Sequence, residues 1–237
     1  MKRPYVICHA ISTIDGRISG DDFYLKEMEP IHEANFSYRN TLDCDAVMNG
    51  TVTCAEIYAD GMGEPATCKC KRECREDNIL FKEGDKCCIC IDPLGQLIWS
   101  SNYVDRPVMP KSHVVEVLTE KVSEEYIQGL KELGISYIFA GTDETDLELL
   151  LEKLSDYGIR RLLVTGGGTI NYALLKNGLV DEVSVVISPI VAADKNCVST
   201  FERSEFAGGN YGGALQLISV KELKDGSILL RYETVCS

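Results

Sequence analysis

Short apolar runs alternate with segments of helical spacing through most of the chain. The run Arg161-Leu162-Leu163-Val164 is almost continuously apolar, which is typical of a strand buried on both faces of a parallel sheet. The segment 146–157 instead places leucines three and four residues apart, as on one face of a helix. The same reasoning predicts strands at 5–8, 46–48, 87–91, 114–118, 135–140, 161–164 and 183–187, and helices at 30–42, 123–133, 146–157 and the ten residues or so before 178.

Two segments depart from this alternation. Residues 215–220 and 228–232 flank Lys224-Asp225-Gly226 and predict a closing antiparallel hairpin. The segment 61–84 is polar, rich in Lys, Glu and Cys, and has no periodicity, so we expect a Cys-rich surface insertion at about 60–86. Because no linker interrupts the pattern, we predict one α/β domain over 1–237, with a mostly parallel central sheet covered by helices on both faces.

Composition excludes several classes of protein. The chain has 237 residues, of which 45% are hydrophobic and 26% charged, as in an ordinary globular domain. Its formal net charge of −13 argues against a nucleic-acid partner, because phosphate binding requires clustered Lys and Arg. His9 and Asp15 interrupt the N-terminal apolar run, so neither a signal peptide nor a membrane span is predicted, and the cytoplasm is the expected location.

Two glycine turns are the candidate ligand sites. The turn Thr165-Gly166-Gly167-Gly168-Thr169-Ile170-Asn171 follows a strand and opens a helix, where bare N–H groups can hold a phosphate. It matches neither the G-x-G-x-x-G fingerprint nor the P-loop, and a tight turn without a ligand is the alternative. Gly50, with Thr53 behind it, follows another strand. Because ligands in open α/β sheets gather at the carboxyl ends of strands, we expect both turns to face one crevice.

The cysteines raise a second possible chemistry. An odd count of 11 without a secretion signal indicates reduced thiols. Cys70 and Cys74 have a spacing that zinc sites use, whereas the group at 87–90 alternates along a strand and directs its thiols to opposite faces. We therefore assign no metal, and a zinc-binding protein remains an alternative.

Three motifs occur in order between residue 4 and about residue 190. Ser12-Thr13-Ile14-Asp15-Gly16-Arg17-Ile18 resembles "S-L-D-G-K/R-I", and the segment 45–53 resembles "D-A-I-L-x-G-x-x-T". The segment 162–189 is similar to the nucleotide-binding half of the same family, the pyrimidine reductases of riboflavin biosynthesis, within the dihydrofolate-reductase-like superfamily. Dihydrofolate reductases also carry an "R-N-T-L" that is echoed by residues 39–42.

This resemblance implies a dihydrofolate-reductase-like fold, a homodimer, and NADPH lying across the two glycine turns. It implies reduction of a small pyrimidine- or pterin-like heterocycle, as by 5-amino-6-(5-phosphoribosylamino)uracil reductase. It also makes a cis peptide between Gly166 and Gly167 a candidate feature. The implied cofactor contacts are the pyrophosphate at Gly50, Thr53, Gly166, Gly167, Gly168, Thr169, Ile170 and Asn171, the nicotinamide at Ala10, Ile11 and Gly16, and the adenosine at Asp92 and Pro93.

The substrate side of the resemblance is less complete. Asp15 and then Glu33 are the candidate catalytic and substrate-binding carboxylates, and Arg39 and Thr165 are further candidate substrate contacts. Asp15 could instead be a turn residue and Glu33 a solvated helix residue. The family commonly has Glu where this chain has Thr165, and its "R-A-D-D-P" is replaced at 55–58. A nucleotide-binding or zinc-binding protein of this fold without the reaction, or a dihydrofolate-reductase-like enzyme, is therefore the alternative.

Overall fold

The apolar runs form strands in the structure, a computed structural model that describes residues 2–68, 75–106, 109–203, 213–223 and 226–235. The strands are β1 Tyr5–Ser12, β2 Ala46–Gly50, β3 Gly61–Met62, β4 Cys87–Ile91, β5 Leu97–Ile98, β6 Tyr103–Arg106, β7 Met109–Leu118, β8 Ser136–Phe139, β9 Arg161–Val164, β10 Glu182–Ile187, β11 Leu215–Glu222 and β12 Ile228–Thr234. The helices are α1 Glu29–Thr41, α2 Thr51–Ile57, α3 Glu124–Leu133, α4 Leu147–Asp156 and α5 Gly168–Lys176, with short 3₁₀ turns at Asp21–Tyr24 and Lys26–Met28.

The chain packs as two compact units. The first unit comprises Met1–Pro4 and Asp45–Leu162, and the second comprises Tyr5–Cys44 and Leu163–Ser237. The expectation of a single domain over the whole chain stays a prediction.

In the first unit, parallel strands surround β4. This strand pairs with β2 on one side and with β7 on the other, in parallel register. The long β7 also pairs with β8 in parallel and with β6 in antiparallel orientation. Helix α3 was predicted at 123–133; it is preceded by Ser123, whose hydroxyl accepts a hydrogen bond from the Tyr126 N–H, and followed by the left-handed Gly134.

In the second unit, β10 joins a parallel pair to an antiparallel hairpin. It pairs with β1 in parallel and with β12 in antiparallel orientation, and β12 pairs in turn with β11. Met28 and Ile31, at the start of α1, pack against Val186 and Leu229 of this sheet. The predicted mostly parallel sheet with a C-terminal antiparallel hairpin is confirmed.

Three features differ from the sequence prediction or extend it. Helix α2 and strand β6 were not predicted. The polar segment after residue 61 is attached to its unit at several points: β3 pairs with β5, Asn78 bridges to Tyr137, and the Asp77 carboxylate lies 2.9 Å from the Lys153 ammonium. Among the described residues, no helix combines the length and apolar character needed to span a bilayer.

Candidate functional site

The triple-glycine turn of the second unit leaves space beside its backbone. It follows β9, contains a cis peptide between Gly166 and Gly167, as the resemblance implied, and opens α5 at Gly168. A Cβ added at Gly166 would meet nothing within 4 Å, whereas one at Gly168 would lie 2.2 Å from the Ser199 carbonyl oxygen. Gly168 is therefore required by packing, and Gly166 borders open space.

The segment 198–202 packs on the start of α5. The Glu202 N–H donates to the Gly168 carbonyl at 3.0 Å, and the Asn171 side-chain amide donates to the Thr200 carbonyl at 2.9 Å. Asn171 is fully buried, while Thr169, two residues earlier, is exposed and Ile170 is half-buried. Among the candidate cofactor contacts on α5, Thr169 thus has the most solvent-accessible side chain.

The Asp15 carboxylate is held by its own unit. It accepts hydrogen bonds from the Thr13 hydroxyl at 2.6 Å and from the N–H groups of Ala192 and Ala193 at 3.1 and 2.9 Å. The Thr13 hydrogen bond, with smaller contributions from these N–H groups, lowers the pKa of Asp15 to about 2. The neighbouring Gly16, at φ +80°, accepts at its carbonyl from the Thr200 N–H. At neutral pH Asp15 is therefore an ionised acceptor, not a proton donor.

The other candidate residues of the second unit lie on β1, α1 and the end of β9. Ala10 is buried and Ile11 half-buried on β1, and Thr165 is half-buried directly after β9. Glu33 is exposed on α1. The Arg39 guanidinium, further along α1, lies 5.7 Å from the centre of the Phe36 ring.

A buried histidine on β1 was missed as a functional candidate. His9 is 1% exposed; its Nε2 lies 2.6 Å from Asn35 Oδ1 on α1 and its Nδ1 lies 3.0 Å from Ser184 Oγ on β10. Burial lowers the pKa of His9 to about 4, although the Asn35 hydrogen bond acts in the opposite direction. The sequence did carry a signal, because a histidine inside an apolar strand must find buried hydrogen-bond partners.

The glycine turn of the first unit is open at its start. Gly50 precedes α2, and a Cβ added there would meet nothing within 4 Å. The Thr51 hydroxyl donates to the Ile91 carbonyl at 2.7 Å, which ties the turn to the end of β4. Thr53, the other candidate phosphate contact, is half-buried.

Asp92, after β4, belongs to a buried acidic cluster. It is fully buried, and its Oδ2 accepts from the N–H groups of Gln96 and Leu97 at 2.6 and 2.8 Å. The Tyr126 hydroxyl lies 3.2 Å from that oxygen and 2.9 and 3.0 Å from the two oxygens of Glu116, which is also fully buried. Trp99 donates to Glu116 as well.

Burial controls the protonation of this acidic cluster. It raises the pKa of Glu116 well above its ordinary value, with a further rise from the nearby Asp92, and it also raises the pKa of Asp92. Because the Tyr126 hydroxyl has a single proton to donate, Glu116 fits this arrangement best when it carries a proton of its own. The Asp92 side chain has no surface to offer a ligand, while Pro93 beside it is half-buried.

The cysteines of the first unit form a buried group without metal geometry. Cys87, Cys88 and Cys90 are buried on β4, and the sulfur atoms of Cys88 and Cys90 lie 3.9 Å apart. Within the described ranges, no three side chains of the metal-binding types are placed to hold an ion. Cys70 and Cys74 lie outside the described residues.

The comparisons with known proteins agree on one kind of enzyme. The model of the RibD C-terminal domain family matches residues 4–229. The chain is 30% identical over 202 residues to the 2,5-diamino-6-ribosylamino-4(3H)-pyrimidinone 5′-phosphate reductase of Methanothermobacter thermautotrophicus, covering 82% of each chain. It is 26% identical to the enzyme of the same name from Archaeoglobus fulgidus, covering 86% of this chain and 89% of that one.

Solved structures show the same fold. A pyrimidine reductase-like protein from Corynebacterium diphtheriae superposes with a TM-score of 0.66 at 15% identity, covering 99% of this chain and 93% of that one. A riboflavin biosynthesis reductase from Saccharomyces cerevisiae superposes with a TM-score of 0.58 at 15% identity, covering 99% and 91%. These likenesses support the predicted dihydrofolate-reductase-like architecture.

Proposed function

Because the chain belongs to the RibD C-terminal domain family, we propose that it is a cytoplasmic, NADPH-dependent reductase of a ribosylaminopyrimidinone 5′-phosphate. One observation carries the substrate class: the 30% identity to a reductase named for that substrate extends over 82% of both chains. The open space beside Gly50 and beside Gly166 supports the use of a nicotinamide dinucleotide.

The residues present fit such a cofactor. Gly166 and Gly50 each border a space that a Cβ would enter, so a diphosphate can approach the backbone there. In the proposal, Gly167, Gly168, Thr169 and Ile170 hold the diphosphate through their N–H groups, and Thr53 adds a hydroxyl. Asn171 and Asp92, which are buried, shape the binding turns, while Pro93 borders the adenosine. The nicotinamide, beside Ala10, Ile11 and Gly16, supplies the hydride when bound.

The chain's own side chains orient the substrate. Glu33, exposed on α1, offers a carboxylate that can accept two hydrogen bonds from an amino-pyrimidine edge. Asp15 stays ionised and keeps its loop in place while offering its remaining acceptor capacity to the substrate. In this proposal Arg39 and Thr165 complete the polar contacts.

Two measurements test the proposed function. Fluorescence titration should show NADPH binding more tightly than NADH, and NADPH should be oxidised in the presence of the diaminopyrimidinone ribosyl phosphate. Glu33→Gln should raise KM roughly tenfold, because an amide replaces one acceptor by a donor. Glu29→Gln, at the exposed first turn of the same helix, is the matched control and should leave KM unchanged. Absence of turnover by the unsubstituted protein would exclude the reductase.

Thr165 favours a second candidate function, a nucleotide-binding protein that lacks the reaction. The family commonly carries a substrate-contacting Glu at this position, and Thr165 offers no charge to replace it. NADPH binding without turnover, restored by Thr165→Glu, would favour this candidate over the reductase.

The exposed edge of the second unit supports a homodimer. Within the part of the chain that the structure describes, strand β11 lies at the end of the sheet, and its Leu217 and Val220 are 52% and 58% exposed. An exposed apolar edge strand is prone to pair with another chain, and in the proposal a second copy occupies it. Val220→Lys should give a monomer by light scattering after size exclusion, whereas Leu80→Lys, at an exposed apolar position of the first unit, should not.

A further inference from the structure

A buried polar network joins three elements of the second unit. His9 on β1, Asn35 on α1 and Ser184 on β10 are 1%, 4% and 0% exposed. His9 contacts both of the others within 3.0 Å, and the Tyr38 hydroxyl lies 3.4 Å from Ser184 Oγ. Such groups are shielded from water, so each depends on the others for its hydrogen bonds.

The strand contact of this network is set by the sheet. His9 and Ser184 are register partners in the parallel pair of β1 and β10, so their side chains share one face. His9 directly precedes Ala10 and Ile11, the candidate nicotinamide neighbours. The imidazole is therefore held in a fixed position on β1, the same strand that carries the two candidate nicotinamide contacts.

The helix contact fixes the rotation of α1. Apolar contacts of Met28 and Ile31 hold the start of this helix to the sheet, but such contacts are not directional. The hydrogen bond to Asn35 is directional, and it lies close to the middle of the helix. Glu33 is two residues away, about 200° around the helix axis, so the rotation that buries Asn35 sets the direction of Glu33.

We propose that His9 is a positioning residue for the substrate: through its hydrogen bond to Asn35 it sets the rotation of α1 and thereby places the Glu33 carboxylate against the heterocycle. This inference rests on the proposed function. His9 itself touches neither substrate nor cofactor, since its side chain is enclosed by the network.

Substitution of two buried histidines tests this role. His113 of the first unit is the matched control, because it is 2% exposed and its Nε2 lies 2.8 Å from Ser136 Oγ. His9→Leu should raise KM for the pyrimidinone about tenfold, while the Kd for NADPH changes less than about twofold. His113→Leu should leave KM unchanged, and His9→Gln, which can still donate to Asn35, should recover most of the loss.

A double substitution separates positioning from packing. If His9 acts through Asn35, His9→Leu combined with Asn35→Leu should raise KM little more than either change alone. Equal KM values for His9→Leu and His113→Leu, with active unsubstituted protein, would overturn the inference and leave the proposed function standing. If His9→Leu does not fold, a His9→Gln variant with tenfold weaker substrate binding would overturn it. Inactive unsubstituted protein would overturn both.

Discussion

A buried polar cluster in each unit contains ionisable groups, and burial shifts the pKa values of these groups in opposite directions in the two clusters. In the first unit Glu116 and Asp92 share the Tyr126 hydroxyl, and burial raises the pKa of both acids. In the second unit the His9 imidazole lies between Asn35 and Ser184, and burial lowers its pKa. Burial favours the neutral form in both units, so an acid there retains its proton and a base loses its proton. The difference teaches that the Glu116 cluster and the His9 cluster should contribute to stability with opposite dependence on pH.

The largest loss of stability should follow removal of the Tyr126 hydroxyl, which the Glu116 and Asp92 side chains share. Tyr126→Phe leaves Glu116, Asp92 and the Leu97 carbonyl without a common donor, and we expect a loss of about 3 kcal/mol in the free energy of unfolding. Urea denaturation measures it. Tyr137→Phe, in the same unit with a ring packed edge-on to Phe139, is the control and should lose much less. Similar losses in both variants would contradict the shared role of the hydroxyl.

Alanine at one glycine of each unit should sharpen the comparison between the two turns. Gly168→Ala places a methyl group 2.2 Å from the Ser199 carbonyl oxygen, so the free energy of unfolding should fall by about 2 kcal/mol. Gly50→Ala meets no atom and has an ordinary φ of −77°, so stability should be kept. We expect Gly50→Ala to weaken NADPH binding roughly tenfold instead, because its methyl group enters the proposed diphosphate space. Unchanged NADPH affinity would remove Gly50 from the cofactor site.

The opposite pH responses can be measured directly. The ordinary pKa of 6.5 falls to about 4 for folded His9, so the unfolded chain binds more protons between these values. Stability should therefore fall by roughly 2–3 kcal/mol as pH decreases through this range. For Glu116 the folded pKa is raised above 4.5, so its contribution is present below that value and is lost as pH rises through the folded pKa.

Amide variants assign these two responses. His9→Gln should reduce the decrease in unfolding free energy that occurs as pH falls below 6.5. Glu116→Gln should reduce the decrease that occurs as pH rises through the folded pKa of Glu116. A profile that neither variant alters would refute the assignment to these two residues.

Asp15→Asn should have the smallest effect. The folded pKa of Asp15 is about 2 against an ordinary 3.8, so its stabilising contribution is present above 3.8 and is lost as pH falls towards 2. Because Asp15 is exposed, we expect only a small decrease in Tm at neutral pH and none at pH 2. A scanning-calorimetry difference that persists at pH 2 would show that the amide acts through something other than charge.

Local patterns were sufficient for most of the fold. The strand predicted at 161–164 and the helix predicted at 123–133 agree with β9 and α3 to within one residue. Helix α2 was missed because Thr51–Ile57 is short and rich in β-branched residues, which have low helix propensity. Here the turn at Gly50 and tertiary packing outweigh that propensity.

The site was predicted less completely because it depends on distant partners. The glycine turns were visible as sequence, but the burial of Asp92 and Asn171 was not, since Tyr126 and Thr200, which contact them, are 34 and 29 positions away. His9 and Ser184 are 175 positions apart, and no periodicity connects them. A contact between residues so far apart in sequence depends on the topology of the sheet, which local spacing does not determine.

The interleaving of the second unit has a consequence for synthesis on the ribosome. Strand β1 emerges early, but its neighbour β10 and the hairpin of β11 and β12 are translated only after the whole segment 45–162. The first unit can therefore fold on the ribosome before β10 and β12, against which β1 and α1 pack, have been translated. During that interval Ser184 has not been translated, so His9 lacks its partner on β10 and β1 lacks the strand that pairs with it there.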